Sequence, residues 1–150
     1  ITESLAFNDV SLIRSSSKIA KIKIQINSKT RIEEFLGDGC LISTPAGSSA
    51  YNLSLRGPVI PVGAKILALT PISPYRPRRW RGALLKNDAK ITLHSIDSVL
   101  RPVRAEADFM QFKNIKKLEI ELEKKMHVNL LFDPGHDLEE RIINEQFSNS

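Results

Sequence analysis

The 150 residues contain a single cysteine, Cys40, so no internal disulfide can form and no cysteine zinc site can be built. That suits a reducing cytoplasm, which is the expected location. Cys40 stands between Gly39 and Leu41-Ile42 and reads as a small buried hydrophobe, with a reactive thiol as the other reading. No apolar run approaches the ~20 residues needed to cross a bilayer, so no membrane span is expected. No leader pattern is legible in a chain whose first residue is Ile1. Aromatic residues make up only 6%. A net charge of +5 draws polyanions, but neither an RNA-binding aromatic motif nor a long basic helix accompanies it. Nucleic acid is therefore a secondary option. His94, His127 and His136 fit no zinc spacing and read as structural or exposed, so no metal ligand is expected. No serine sits on a GxSxG turn, which leaves no nucleophile elbow. There is no GxGxxG and no phosphate loop ending in Gly-Lys-Ser/Thr.

What is present suffices for one domain with a real core: 41% of residues are hydrophobic and 26% are charged. The clearest periodicity spans residues 19–26. Ala20, Ile22, Ile24 and Ile26 point one way, Lys21, Lys23 and Gln25 the other, as in a strand with one buried face. Asn27-Ser28-Lys29 is hairpin-sized, and residues 31–36 return as a second strand. Residues 8–14, 65–69, 83–85, 90–94, 99–107, 116–122 and 127–132 add short strands. Pro71, Pro74 and Pro77 are expected to forbid regular structure up to Trp80. Strands about ten residues apart predict a mainly β fold, an antiparallel β-sandwich, and not alternating βαβ units. Residues 134–150 differ. Asp137 and Glu140 form a capping box, and Leu138, Ile142, Ile143 and Phe147 share one helical face. Residues 1–133 thus read as the β domain and 134–150 as a C-terminal helix.

Residues 37–55, GDGCLISTPAGSSAYNLSL, carry the densest pattern. Gly37-Asp38-Gly39 reads as a tight turn presenting one carboxylate. Residues 40–42 read as a short buried strand. Ser43-Thr44-Pro45-Ala46-Gly47-Ser48-Ser49 is a hydroxyl-rich turn. Residues 50–55 form a short helix closed by Gly57 and Pro58. Such an arrangement predicts free backbone N–H groups aimed at one point, a site for phosphate or another polar ligand. An ordinary loop with Ser48 or Ser49 as an N-cap is the plainer reading.

This stretch resembles the signature of the NAD kinase family, on Gly37-Asp38-Gly39 followed by Ser43-Thr44-Pro45-x-Gly47-Ser48-x-Ala50-Tyr51. Gly57-Pro58, Leu69-Thr70-Pro71-Ile72 and Pro74 are similar to further family positions, and Asn8-Asp9 to its asparagine-acid pair. The resemblance implies ATP-dependent phosphorylation of the 2′-hydroxyl of the adenosine ribose of NAD, giving NADP. It implies ATP as donor, a divalent metal such as Mg2+, and self-association as a homodimer or homotetramer. It also implies that the catalytic aspartate lies in a GGDG motif of an N-terminal α/β domain. No GGDG occurs in this sequence, so no catalytic residue is assigned here. The C-terminal helix is expected to pack on that N-terminal domain.

By the same resemblance the NAD-binding residues are Asn8, Asp9, Lys21, Asp38, Ser49, Ala50, Tyr51, Asn52, Ser54, Ser73, Tyr75 and Asp108. An amide beside a carboxylate, Asn8 and Asp9, can hold two ribose hydroxyls; a strand-start turn is the other reading. Tyr51 offers a stacking face and Ala50 leaves room for a base, unless the helix packs Tyr51 in the core. Asp38 is expected to reach the site of a neighbouring subunit. Tyr75 stands where many bacterial members have histidine. Ser49 replaces the usual threonine and Phe109 a usual small residue. Two other classes remain: a non-enzymatic basic β-sandwich binding nucleotide or nucleic acid, and a lipid kinase relative.

Overall fold

Ala20, Ile22, Ile24 and Ile26 turn inward, at 0–8% exposure, along a strand whose lysines face out. The same alternation, repeated across the chain, builds two facing sheets. The computed structural model describes residues 1–126 and 138–147. One sheet has six strands in the order β6-β5-β4-β1-β8-β9, the other four in the order β10-β7-β2-β3. In chain order these are β1 (Asp9–Arg14), β2 (Ala20–Ile26), β3 (Lys29–Gly37), β4 (Gly39–Ser43), β5 (Ile66–Ile72), β6 (Ala83–Lys86), β7 (Ile91–Ser95), β8 (Val103–Ala107), β9 (Met110–Phe112) and β10 (Lys117–Ile120). Every pairing is antiparallel. Two helices complete the described elements, α1 (Tyr51–Ser54) and α2 (Leu138–Phe147), with a 3-10 turn at Ala46–Ser49. The mainly β sandwich expected from the strand spacing is the architecture found.

The core lies between the sheets. Leu12, Cys40, Ile42, Leu67, Leu69, Val103 and Ala105 come from the larger sheet, and Ile22, Ile24, Phe35, Ile91 and Leu93 from the smaller. Each large side chain so buried contributes roughly 1.5–3 kcal/mol. Cys40 is fully buried, and burial pushes its thiol far above the ordinary value, which makes it inert packing. The turn between β2 and β3 places Asn27 and Ser28 at φ 51° and 66°, a left-handed pair that matches the twist of a tight hairpin.

Three local expectations are corrected. Gly37-Asp38-Gly39 is not a tight turn. The chain runs from β3 in the small sheet straight into β4 in the large one, bending only at Asp38, and neither glycine has a positive φ. The glycines are there for contact. A Cβ on Gly39 would lie 2.0 Å from the Leu12 carbonyl oxygen, and one on Gly37 would lie 2.6 Å from the Phe35 ring. Regular structure also does not stop at Pro71, which lies inside β5 opposite Cys40. The Ile72 carbonyl accepts from Asp38 N–H across to β4, so alternation turns the Pro71 nitrogen to the other edge. There the β6 ladder ends at Leu69–Ala83, and no N–H is needed. The strand expected over 99–107 starts only at Val103. Pro102 precedes it, and Arg101 N–H closes a turn onto the Asp97 carbonyl.

The C-terminal helix is present as α2, with Ile143 and Phe147 48% and 82% exposed. The strand expected over 127–132, His127, His136 and the Asp137 cap lie outside the described residues. Among the described residues no helix is long and apolar enough to cross a membrane.

Candidate functional site

Asp9, Ser11 and Ile13 alternate with the core residues of β1, so they face away from the sandwich interior. Register puts Ser43, Leu41 and Gly39 beside them on β4, and Glu106 and Arg104 beside Ser11 and Ile13 on β8. Onto this outer face folds the segment 44–60. Thr70 in β5 donates its hydroxyl to Asn52 Oδ1 at 2.6 Å. Asn52 Nδ2 donates to the carbonyls of Ser48 and Pro58 at 3.2 and 2.8 Å. Ser48 Oγ donates to the Pro45 carbonyl and accepts from Ile60 N–H, at 2.7 and 2.8 Å. Asn52 and Ser48 are fully buried. Gly57 is glycine because a Cβ there would meet Asn52 Oδ1 at 2.2 Å. This buried network clamps α1 to the sheet.

The start of β1 enters the same corner. Asn8 runs so close beneath Gly47 that a Cβ there would lie 2.0 Å from the Asn8 carbonyl oxygen. That carbonyl accepts from Thr44 N–H at 3.0 Å, and Thr44 Oγ1 donates to the Phe7 carbonyl at 2.9 Å while accepting from Gly47 N–H at 3.0 Å. Asp108, at φ 50°, holds the other side. Its carboxylate accepts from the N–H groups of Phe7, Asn8 and Asp9. Asp108 thus positions the Asn8-Asp9 pair through the backbone.

Tyr51 tops the face. It is 41% exposed, which answers the core reading, and its helical neighbour Ser54 is exposed on the same side. Burial first, then Glu106, Asp38 and Asp9, hold its hydroxyl above the ordinary tyrosine value, against Arg104. Arg104 Nε pairs with Glu106 Oε1 at 2.9 Å. Asp38 at the sandwich corner pairs with Arg14 Nε at 2.9 Å. The result is a shelf with acidic and hydroxyl groups below one aromatic ring, suited to a ribose and its base.

The structure brings together Asn8, Asp9, Tyr51 and, from behind, Asp108. Ser49 and Ala50 are half-buried at the turn beside them. Asn52 faces inward with both ends of its amide engaged. Lys21 does not join: it projects from the outer face of the small sheet and pairs with Asp97 at 3.3 Å. Ser73 and Tyr75 lie exposed past β5, near β3, where Tyr75 N–H reaches the Leu36 carbonyl. The expected cradle of free N–H groups is reduced. Those of Thr44, Gly47, Ser48 and Ala50 are all taken within the segment or by Asn8. Glu106 and Arg104 were missed from sequence. The alternation of residues 103–107 signals their outward face, but not that β8 lies against β1.

Burial, then Asp108 and Glu106, hold the Asp9 carboxyl above its ordinary value of 3.8. The fold therefore resists the ionised form. This group's contribution to stability is complete below 3.8 and is lost as pH rises through the raised folded value. Asp9→Asn should raise the melting temperature at pH 7, and the gain should vanish on acidification below the ordinary value. Melts of both proteins at neutral and acid pH test this; a variant no more stable at pH 7 would mean that unseen partners favour the carboxylate.

A family model described as the ATP-NAD kinase C-terminal domain matches residues 7–101. The NAD kinase of Xylella fastidiosa strain Temecula1 is 52% identical over 146 residues, 97% of this chain and 56% of that protein. The NAD kinase of Hyphomonas neptunium is 47% identical over 148 residues, 99% of this chain and 58% of that protein. The chain thus spans about half the length of the curated relatives it matches. Among solved structures, yeast NADH kinase complexed with NADH superposes with a TM-score of 0.67 at 25% identity, over 77% of this chain and 34% of that one. An NAD kinase from Archaeoglobus fulgidus in complex with ATP gives 0.70 at 21% identity, over 79% and 46%, a likeness of fold.

Proposed function

This chain belongs to the ATP-NAD kinase family through its C-terminal domain, and on that premise we propose that it is the NAD-gripping part of an enzyme that phosphorylates the 2′-hydroxyl of the adenosine ribose of NAD, with ATP as donor, to give NADP. The observation that supports the reading is the seating of the Asn8 backbone under Gly47, with the next residue, Asp9, close enough to act on the Tyr51 hydroxyl. In this reading Asn8 and Asp9 hold ribose hydroxyls, Tyr51 stacks on a base, and Ala50 and Ser54 line its edge. Asp108 and the Asn52 network keep that geometry fixed before ligand arrives, so little ordering is left for binding. The base that deprotonates the ribose hydroxyl is not assigned to this chain, because no GGDG occurs in it. A divalent ion such as Mg2+ would neutralise charge on the donor phosphates. Among the described residues no group of three or more His, Cys, Asp or Glu side chains could hold one.

Lys21 and Tyr75 sit apart from Tyr51, around the small sheet and its edge. Self-association as a homodimer or homotetramer, with a neighbouring copy completing the site, goes with the family reading. A cytoplasmic location goes with this reading, and the one buried free thiol suits it. A non-enzymatic nucleotide-binding sandwich and a lipid kinase relative are not favoured by the relatives matched.

The test is Tyr51→Ala in the full-length protein. Loss of a stacking face should weaken NAD binding by about 1–3 kcal/mol, by analogy with nucleic-acid stacking. The melting temperature should barely move, because the ring is 41% exposed. An unchanged dissociation constant in an NAD titration would remove Tyr51 from the site.

A further inference from the structure

Ser43 closes β4 and is fully buried, yet its Oγ has no hydrogen-bond partner among the described residues. An unpaired buried hydroxyl costs free energy, so its retention calls for a reason. Two other buried polar atoms share this state, Ser95 Oγ and Arg101 Nε, and both lie around the connection from β7 to β8. Of the three, Ser43 alone stands on the outer face of β4 that carries the shelf.

The surroundings of Ser43 leave one side-chain partner. Toward β5 it is in register with Ala68, whose methyl offers no polar atom. In the covering segment, the side chains of Thr44, Ser48 and Asn52 are already hydrogen-bonded elsewhere. Toward β1 it is in register with Asp9. Thr44 N–H donates to the Asn8 carbonyl, and Arg14 N–H to the Asp38 carbonyl. Those two bonds fix the phase of the ladder and make Asp9 and Ser43 a non-hydrogen-bonded pair. Strands approach most closely at such pairs, with α-carbons about 4.5 Å apart. The Asp9 carboxylate makes no hydrogen bond or ion pair among the described residues; only its backbone N–H and carbonyl are engaged. A hydroxyl and a carboxyl, each without a partner, thus stand directly opposite one another. Turning about one torsion lets the serine donate.

We propose that Ser43 is the positioning residue for Asp9: its hydroxyl donates to one carboxylate oxygen of ionised Asp9 and leaves the other free for a ribose hydroxyl. The role of that second oxygen rests on the NAD reading; the pairing of the two side chains does not. Ser43 is covered by the segment 44–60 and acts on a ligand only through Asp9. Donation to the charged form favours ionisation, against burial and the charges of Asp108 and Glu106. The titratable and charged groups around Asp9 are Glu106 and its partner Arg104 on β8, Asp108 beyond β8 and Tyr51 on α1. All four stay in place when Ser43 is changed, so a shift in Asp9 reports the hydroxyl.

The experiment is Ser43→Ala in the full-length protein. It is read by carbon NMR titration of labelled aspartate without ligand, with Asp9 assigned from its loss in Asp9→Asn, and by NAD titration and thermal melts. The Asp9 midpoint should rise by about one unit, and NAD affinity at neutral pH should fall about tenfold. The melting temperature should stay close to the parent's, because the lost bond and the removed buried hydroxyl nearly cancel. In an Asp9→Ala background, Ser43→Ala should cost no further NAD affinity. An unmoved Asp9 midpoint would overturn the pairing, as would an equal loss of affinity in both backgrounds. A lowered melting temperature with an unmoved midpoint would assign Ser43 a purely structural role instead. If Asp9→Ala alone binds NAD as the parent does, the NAD reading fails at Asp9, while the midpoint still decides the pairing.

Discussion

Gly47→Ala is expected to disable the site and destabilise the domain together. The new Cβ would stand 2.0 Å from the Asn8 carbonyl oxygen and 2.5 Å from both its carbonyl carbon and Cα. All three are backbone atoms, so no side-chain rotation relieves the clash. Either the 3-10 turn lifts or β1 retreats, and each breaks the Thr44 N–H bond to Asn8. Overpacking of this kind costs typically 1–3 kcal/mol and sometimes more. NAD affinity should fall further than stability, because the displaced residues are Asn8 and Asp9 themselves. Gly63→Ala is the control: nothing lies within 4 Å of its Cβ, and only its φ of +91° opposes the change. That backbone effect should cost about 1 kcal/mol and leave NAD binding alone. Urea melts and NAD titrations on both variants decide the matter. A Gly47→Ala protein with parental affinity would mean that the Asn8 seat is not the ligand's seat.

Residues 1–150, expressed alone, should make no NADP from NAD and ATP. The acids of the shelf are committed: Asp38 to Arg14, Glu106 to Arg104, and Asp108 to three backbone N–H groups. Asp9 is left, but among the described residues there is no phosphate loop beside it to present ATP. Positioning two reactants supplies roughly 7–11 kcal/mol of a barrier, and here one of the two has no seat. Exposed Ile143 and Phe147 on α2 should also drive association, so light scattering should show oligomers. A coupled NADP assay on the isolated chain beside the full-length protein is the check. Turnover at the full-length level would place the catalytic base within these residues.

Some of this was legible without coordinates because it is local. The alternation of residues 20–26 requires a strand with one buried face whatever lies beside it. The spacing of short strands around turn residues points to an antiparallel sandwich and away from βαβ units. The run from Gly37 to Tyr51 marks a candidate site through its resemblance to a family signature, and Ala50, Tyr51 and Ser54 come from that resemblance. Where the reading went wrong, a long-range contact had overruled a local preference. Gly37 and Gly39 looked like turn glycines, yet they serve close packing against Phe35 and the Leu12 backbone. Pro71 looked like a breaker, yet the neighbouring strand ends just where its missing N–H would matter.

By itself the sequence determined the period of the strands, the buried cysteine, the family pattern and the residue types available to a ligand. Only the tertiary structure decided which of those residues meet. Asp108 reaches back 100 residues to hold Asn8, and Thr70 reaches 18 to fix Asn52. It also decided that Lys21 stands apart from the Tyr51 shelf and that Ser43 lies opposite Asp9. Such meetings depend on strand order and register across two sheets. A chain with period-two alternation specifies which face is buried, but leaves open which strand lies alongside it.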